Sequence, residues 1–337
     1  MSERMLRALT TRRIVTAAAF GGGGLTVLGG LTFALLVAEA RSARRIIQGS
    51  VNFLPPATDG LYGRRLPGEP ISFAMLGDST AAGIGVHEPE ETAAGLLASG
   101  LSASAGRPVR LTNVAVSGSR SEALREQVSQ ALEAGPEIAV IMIGANDVTA
   151  RIAAAESVRH LEEAVRRLRE AGCEVVVGTC PDLGSVEPLM QPLRWIAQRT
   201  SRQLAAAQTV VVVQTGGRTV SLGDLLGRDF AIEPGEFFSA DRYHPSARGY
   251  GAAAAALLPS VSAALGLEPE ARFGEGVLPI YLAAASAAEK PGTEVTARGD
   301  GASRSRWATL LRRTGGAAPA RPSSDGSTLP EVAPGMA

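Results

Sequence analysis

The alternation of short apolar segments with helical patterns between residues 71 and 267 limits the possible folds of this chain most strongly. Five apolar segments have the length and composition of β-strands, and segments with apolar residues at helical spacing lie between them. Strands that alternate with helices form a parallel sheet, because each crossover carries its helix to one face. The third strand is apolar throughout, as expected when both faces of the sheet are covered. We therefore expect an α/β fold with helices on both sides of a five-stranded parallel sheet.

The same patterns place the elements on the chain. The candidate strands are ISFAMLG at 71–77, VRLTNVAV at 109–116, EIAVIMIG at 137–144, EVVVGTC at 174–180 and TVVVVQ at 209–214. Candidate helices are marked by apolar residues three and four apart. These residues are Ala93, Ala94, Leu96, Leu97 and Leu101; Leu124, Val128, Ala131 and Leu132; Val158, Leu161, Val165 and Leu168; and, in a last helix that begins near Ser246, Tyr250, Ala254, Leu257, Leu258 and Val261.

Composition excludes several classes of function. The chain has 33 Lys and Arg residues and 33 Asp and Glu residues, so its formal net charge is zero and no excess of positive charge favours binding to nucleic acid. Two cysteines are too few for a disulfide scaffold or a multi-cysteine zinc site. No H-E-x-x-H motif or other cluster of metal ligands occurs. We expect neither a metal nor a cofactor.

An uncharged run of 25 residues, Ile14 to Ala38, lies near the N-terminus. As a helix it would be about 37 Å long at about 1.5 Å per residue, enough to cross a bilayer. A cleaved twin-arginine signal is the alternative, because Arg12-Arg13 precedes the run and Ala38-Glu39-Ala40 resembles a cleavage site. Four arginines before the run and three after it favour an N-terminus inside the cell. We expect a single-pass protein of the cell membrane with its large domain outside the cytoplasm.

Changes in composition divide the rest of the chain. Pro and Gly are frequent before the first strand, and Pro, Gly, Ser, Ala and Arg dominate the C-terminal region without any period, which is typical of disorder. The expected parts are a basic tail at 1–13, a transmembrane helix or signal anchor at 14–38, a linker at 39–69, the α/β domain at 70–267, an appended helix at 268–290 and a disordered tail at 291–337.

Polar residues follow the first three strands, where the carboxyl ends of parallel strands border a crevice. Strand one ends in Gly77-Asp78-Ser79, where the serine suits a nucleophile with its own oxyanion-binding N–H, or merely caps a helix. Strand two is followed by Gly118, which either lets a backbone N–H approach a ligand or forms a simple turn. Strand three is followed by Asn146, whose amide either donates to an oxyanion or caps a helix.

A candidate general base lies before the last helix, in the segment D-R-Y-H-P at 241–245. Asp241 and His244 are three residues apart, so the carboxylate can hold the imidazole Nδ1–H while Nε2 faces a nucleophile. The alternative is an incidental histidine in a loop that precedes a helix. His160 lies among charged residues of a helix and His87 in a loop rich in Pro and Glu, so we assign neither to the site.

Together these segments resemble the SGNH hydrolases, also called GDSL lipases and esterases. The matching blocks are GDS at 77–79, the glycine at 118, GAND at 144–147 and DxxHP at 241–245, and the resemblance covers residues 70–267. It implies a three-layer α/β/α, flavodoxin-like fold with strand order 2-1-3-4-5. Block spacing is similar to that of the bacterial lysophospholipase and thioesterase branch, and most of the chain is similar to membrane-anchored GDSL proteins of actinobacteria.

The resemblance also implies roles for the residues in these blocks. Ser79 would be the nucleophile, His244 the base and Asp241 its orienting partner. The oxyanion hole would consist of the Ser79 N–H, the Gly118 N–H and the Asn146 side chain.

The expected reaction is hydrolysis of a carboxylic ester or thioester through an acyl-enzyme, without a cofactor. One alternative is an O-acetyl esterase or acyltransferase that acts on glycans of the cell envelope. Another is an inactive envelope-anchored binding protein. The expected partners are an ester or acyl substrate, either a lipid or an acylated glycan, and the membrane.

Overall fold

The computed structural model describes residues 54–186, 188–222 and 234–267, together with residues 284, 294 and 295. The expected transmembrane helix at 14–38, nearly all of the expected appended helix at 268–290 and most of the expected tail lie outside these residues. Among the residues that are described, no helix combines the length and the hydropathy that a membrane crossing requires.

A mixed sheet of seven strands forms the centre of the described structure. The strands are β1 (Gly60–Tyr62), β2 (Ile71–Gly77), β3 (Val109–Asn113), β4 (Ile138–Met142), β5 (Glu174–Gly178), β6 (Arg218–Val220) and β7 (Glu294–Val295). They lie in the order β1-β3-β2-β4-β5-β6-β7. The five strands from β3 to β6 pair in parallel, and β1 and β7 are added antiparallel at the two edges.

Helices cover both faces of the sheet and give three layers. The helices are α1 (Ser79–Ala82), α2 (Ala93–Ala105), α3 (Leu124–Glu133), α4 (Ala145–Thr149), α5 (Ala154–Glu170), α6 (Leu193–Gln214), α7 (Pro234–Phe237) and α8 (Ala247–Ala264). Apolar residues of α2 and α8 pack with the sheet on one face, and those of α3, α5 and α6 pack on the other. The α/β architecture expected from the sequence pattern is therefore the one observed.

The strand β2 shows why its sequence suits the middle of this sheet. Phe73 and Met75 join the apolar cluster on one face, while Ala74 and Leu76 join the cluster on the other. All four side chains are fully buried. Because successive residues of a strand point to opposite faces, a strand buried on both sides needs an unbroken apolar run.

The expected sheet has five parallel strands, whereas the observed sheet has two additional antiparallel strands at its edges. Gly60–Tyr62 lies in the range expected to be linker, and Glu294–Val295 lies in the range expected to be disordered. Both are too short to show a two-residue period, and backbone hydrogen bonds to β3 and β6 define them. Sequence patterns do not record such pairing.

The fifth expected strand, TVVVVQ at 209–214, is wrong. These residues form the last turns of α6, and the fifth parallel strand is Arg218–Val220. Val212 and Val213 are buried, and Val212 joins the same apolar cluster as α3 and α5. Burial on a helical face outweighs the β-propensity of four consecutive valines, which is a weak preference.

Candidate active site

The chain turns sharply out of β2 at the point where the candidate nucleophile lies. Gly77 has φ of 141°, and a Cβ at this position would lie 1.9 Å from the carbonyl oxygen of Met142 in β4. Asp78 follows, and its Oδ1 accepts a hydrogen bond of 3.0 Å from the N–H of Thr80. Ser79 is the first residue of α1, where a backbone N–H has no partner within the helix.

Two hydrogen bonds join Ser79, His244 and Asp241. His244 Nε2 lies 2.9 Å from Ser79 Oγ, and His244 Nδ1 lies 2.6 Å from Asp241 Oδ2. Because a carboxylate can only accept, the proton of a neutral imidazole lies on Nδ1 and Nε2 is left to accept from the serine hydroxyl. The structure thus brings together side chains that are 165 residues apart in the chain.

The loop between α7 and α8 holds Asp241 and His244 on the same side. Arg242, between them, has a left-handed φ of 57°, which is uncommon for a residue other than glycine. Asp241 Oδ1 accepts hydrogen bonds of 2.9 Å from the N–H groups of Tyr243 and His244, and one of 2.8 Å from Ser239 Oγ. The carboxylate therefore fixes both the loop and the imidazole.

The surroundings of Asp241 favour its ionised, negatively charged form. Burial alone would raise its pKa, but the hydrogen bond and positive charge of His244 and the backbone N–H bonds outweigh burial and lower the pKa to about 2. The carboxylate is therefore ionised at neutral pH. The Tyr243 ring meets the His244 ring edge-on at a centroid distance of 4.8 Å and packs against the apolar cluster that contains Leu183 and Val186. This packing restrains rotation of the imidazole.

Asp78, directly before the candidate nucleophile, is a second carboxyl group in the site. It is only 3% exposed, and burial raises its pKa to about 6. The hydrogen bond from Thr80 and the charge of His244 lower the pKa, and the charge of Asp147 raises it, but burial is the largest effect. This carboxyl group therefore changes charge near neutral pH.

Gly118 and Asn146, the other two candidate residues, lie in adjacent segments. Gly118 follows β3 with φ of 82°, and no atom lies within 4 Å of the position that a Cβ would occupy, so the space beside it is open. Asn146 is in α4, and its Nδ2 donates a hydrogen bond of 3.0 Å to the carbonyl oxygen of Ser119. The amide carries a second N–H that can serve a ligand. A hydrogen bond of 3.2 Å from Val116 N to Gly77 O ties this loop to the end of β2.

Two buried residues that the sequence analysis did not select connect these segments. Asp147 accepts hydrogen bonds from the N–H of Ser121, at 3.1 Å, and from Ser157 Oγ, at 2.8 Å. Gln127 in α3 bonds to both backbone groups of Gly77. Both are at most 2% exposed. A polar residue on the apolar side of a helix is a signal in the sequence that marks Gln127.

The remaining histidines and the cysteines lie in other places. His160 is within α5, and His87 is in the loop between α1 and α2. Cys173 and Cys180 are buried free thiols, and burial raises the pKa of both. In the part of the chain that the structure describes, no group of three or more His, Cys, Asp or Glu residues is arranged to hold a metal ion.

Comparison with known proteins shows what this chain is similar to. Residues 75–252 match the GDSL-like Lipase/Acylhydrolase family. A GDSL-like esterase of Mycobacterium tuberculosis is 42% identical over 258 residues, which cover 73% of this chain and 81% of that protein. Among solved structures, the acetylxylan esterase Axe2 of Geobacillus stearothermophilus is 18% identical with a TM-score of 0.44, over 60% of this chain and 96% of that chain. TesA is 24% identical with a TM-score of 0.42, over 58% and 99%.

Proposed function

Because this chain belongs to the family of GDSL-like lipases and acylhydrolases, we propose that it is a serine esterase that forms an acyl-enzyme on Ser79. The observation that carries the proposal is the pair of hydrogen bonds from Ser79 to His244 and from His244 to Asp241. A serine hydroxyl is a weak nucleophile until a base removes its proton, and a base lies 2.9 Å away. This geometry also argues against an inactive binding protein.

The reaction follows from the positions of these three side chains. His244 Nε2 takes the proton of Ser79 Oγ while that oxygen attacks the carbonyl carbon of an ester or thioester. The ionised Asp241 stabilises the imidazolium that forms. The bond to the leaving group then breaks, and His244 donates its proton to the departing alcohol or thiol. Water next attacks the acyl-enzyme with His244 as base, which releases the carboxylic acid and restores Ser79.

Hydrogen-bond donors must stabilise the negative charge that develops on the carbonyl oxygen. The N–H groups of Ser79 and Gly118 and the Nδ2 of Asn146 are the proposed set. Their support is the position of Ser79 at the start of α1, the open space beside Gly118 and the hydrogen bond that fixes Asn146 to the adjacent loop. Donors held in advance stabilise the transition state because they need no reorganisation during the reaction.

Hydrolysis of p-nitrophenyl esters from acetyl to palmitoyl tests the proposal. We expect turnover by the wild type and loss of nearly all of it in Ser79→Ala, since loss of a triad member costs several powers of ten in kcat in a related mechanism. The matched control is Ser129→Ala, a half-buried serine of α3, which should keep wild-type activity. A Ser79→Ala variant that kept more than about a tenth of wild-type kcat/KM would contradict the proposal.

We propose that Val116 contacts the acyl chain of the substrate. This valine is 56% exposed and lies two residues before Gly118, so an acyl chain bound at the proposed oxyanion hole could cover its side chain. Loss of one such contact costs about 1 kcal/mol, so Val116→Ser should lower kcat/KM for octanoyl over acetyl esters about fivefold. Leu66→Ser, in the loop before β2, is the control and should leave that ratio unchanged. If Val116→Ser left the octanoyl-to-acetyl ratio of kcat/KM unchanged, Val116 would not contact the acyl chain.

The candidate substrates differ in the leaving group that the reaction releases. We propose an ester or thioester of the kind that lysophospholipases and thioesterases cleave, based on the spacing of the four blocks. Rates on lysophosphatidylcholine, palmitoyl-coenzyme A and an O-acetylated glycan, measured at equal concentration, separate the possibilities. Faster reaction with the glycan, or transfer of its acetyl group to a sugar hydroxyl, would replace this branch with an envelope O-acetyl esterase or acyltransferase.

We propose that residues 14–38 anchor the protein in the membrane, with the catalytic domain outside the cytoplasm. The support is the uncharged run of 25 residues and its arginine flanks. The full chain should resist carbonate extraction, and protease added to spheroplasts should digest the domain. A protected domain would place it in the cytoplasm, and a soluble mature form that begins near Arg41 would indicate a cleaved twin-arginine signal.

A further inference from the structure

The buried side chain of Gln127 binds both backbone groups of Gly77, where the segment of the nucleophile begins. The strand pairing of β2 with β3 ends at Met75 and Asn113, and after it the Val116 N–H donates to Gly77 O, which leaves Gly77 N to another partner. Beyond that point, Gln127 Oε1 accepts a hydrogen bond of 2.8 Å from Gly77 N, and its Nε2 donates one of 2.9 Å to Gly77 O. The side-chain amide thus binds Gly77 as a neighbouring peptide group would, and holds the residue that leads into Asp78-Ser79.

The same amide also reaches the loop that carries Gly118. Gln127 Nε2 lies 3.3 Å from Ser119 Oγ, and the carbonyl oxygen of Ser119 accepts the hydrogen bond from Asn146 Nδ2. Gln127 therefore contacts the end of β2 and the loop that carries Gly118 and Ser119. Through Ser119 it is connected to Asn146. The contacts that Gln127 itself makes are buried, and there an amide left without partners costs about 1–3 kcal/mol.

We propose that Gln127 is a positioning residue that sets the distance between the nucleophile and the oxyanion donors. The inference rests on the proposed esterase function. Gln127 does not touch the reacting atoms; it acts through Gly77 and Ser119. Because a misplacement of about 1 Å can lower a rate about 100-fold, a residue that joins the two halves of the site should affect kcat more than substrate binding.

The chain provides a matched control for this inference. Gln208 in α6 is also buried, accepts a hydrogen bond of 2.7 Å from Cys180 N and donates one of 3.0 Å to Ile143 O. It therefore satisfies backbone groups at the ends of β4 and β5 as Gln127 does at the end of β2. Its partner Ile143 lies three residues before Asn146, so Gln208 supports one segment of the site, but among the hydrogen bonds of the described residues none joins it to Gly77 or Ser119.

The experiment compares Gln127→Met, Gln208→Met and Gln127→Glu with the wild type, all as the full chain. Both methionine variants should lose similar stability, but Gln127→Met should lower kcat about 10–100-fold at unchanged KM, whereas Gln208→Met, which disturbs only the segment that leads to Asn146, should lower kcat less than about tenfold. A neutral glutamic acid can both accept from Gly77 N and donate to Gly77 O, and burial raises the pKa of a carboxyl group. The kcat of Gln127→Glu relative to wild type should therefore rise at least about fivefold from pH 8 to pH 5.5.

The outcomes separate this inference from the function on which it rests. Equal loss of kcat in the two methionine variants, or a pH-independent ratio for Gln127→Glu, would overturn the positioning role while the wild-type turnover still supports an esterase. A wild type without turnover on any ester or thioester would overturn the proposed function, and the positioning role with it.

Discussion

Replacement of Asp78 by asparagine should stabilise the protein above pH 6. Burial raises the pKa of this carboxyl group from its ordinary 3.8 to about 6, so the folded state binds a proton that the unfolded state releases. The contribution of this proton to the free energy of unfolding is fully present below about pH 4 and is lost as the pH rises through about 6. A pKa raised from 3.8 to about 6 corresponds to about 3 kcal/mol, at about 1.4 kcal/mol for each pH unit.

The substitution keeps the local structure while it removes the charge. Asparagine can still accept the hydrogen bond from Thr80 N, because it caps a helix about as well as aspartate. We expect the free energy of unfolding of Asp78→Asn to equal that of the wild type near pH 4 and to exceed it by up to about 3 kcal/mol at pH 8. Urea denaturation followed by circular dichroism at pH 4, 5, 6, 7 and 8 measures the difference.

Activity should change in the opposite direction. The negative charge of Asp78 and the positive charge of protonated His244 attract each other, as their effect on the pKa of Asp78 shows. Loss of that charge makes the imidazolium less stable, so kcat of Asp78→Asn should fall several-fold at pH 8 although the fold is more stable. A stability difference that does not vary with pH, or a wild type that is the more stable protein at pH 8, would refute this reasoning.

Three other predictions test the site and the fold. Asn146→Ala should lower kcat about 100–1,000-fold with little change in KM, because its amide is a proposed donor to the developing oxyanion; an effect confined to KM would mean that it only positions the substrate. His87→Ala and His160→Gln should stay within several-fold of wild-type kcat/KM, and loss of activity in a folded His160→Gln would contradict the choice of base. Gly77→Ala should cost about 3 kcal/mol or more in urea denaturation because left-handed strain adds to backbone overlap, whereas Gly106→Ala, with open space, should cost about 1 kcal/mol from strain alone; equal losses would refute the overlap.

Much of the site could be predicted from the sequence because its residues lie at recognisable places. Ser79 lies two residues after the end of an apolar strand, and the carboxyl ends of parallel strands border the crevice. Asp241 and His244 are close in the chain, so one tight turn holds them together whatever the rest of the fold. Local spacing is the kind of information that a single sequence carries well.

Contacts between distant segments could not be predicted in this way. The hydrogen bonds of Gln127 to Gly77 span 50 residues, and those of Asp147 to Ser121 span 26. Gln127 is three residues after Leu124, on the apolar side of α3, and that placement was the available signal. The pattern of residues 209–214 predicts a strand, but these residues end a helix. Packing against distant segments decides their conformation, and the local pattern does not contain that information.

The central claim, that Ser79 is the nucleophile, is tested most directly by covalent labelling. Diethyl p-nitrophenyl phosphate transfers a diethylphosphoryl group to an activated serine and releases p-nitrophenol. Peptide mass spectrometry of the inactivated wild type should show one such group for each chain, on Ser79, and Ser79→Ala should remain unlabelled. A label on another residue, or inactivation with Ser79 unmodified, would contradict the assignment.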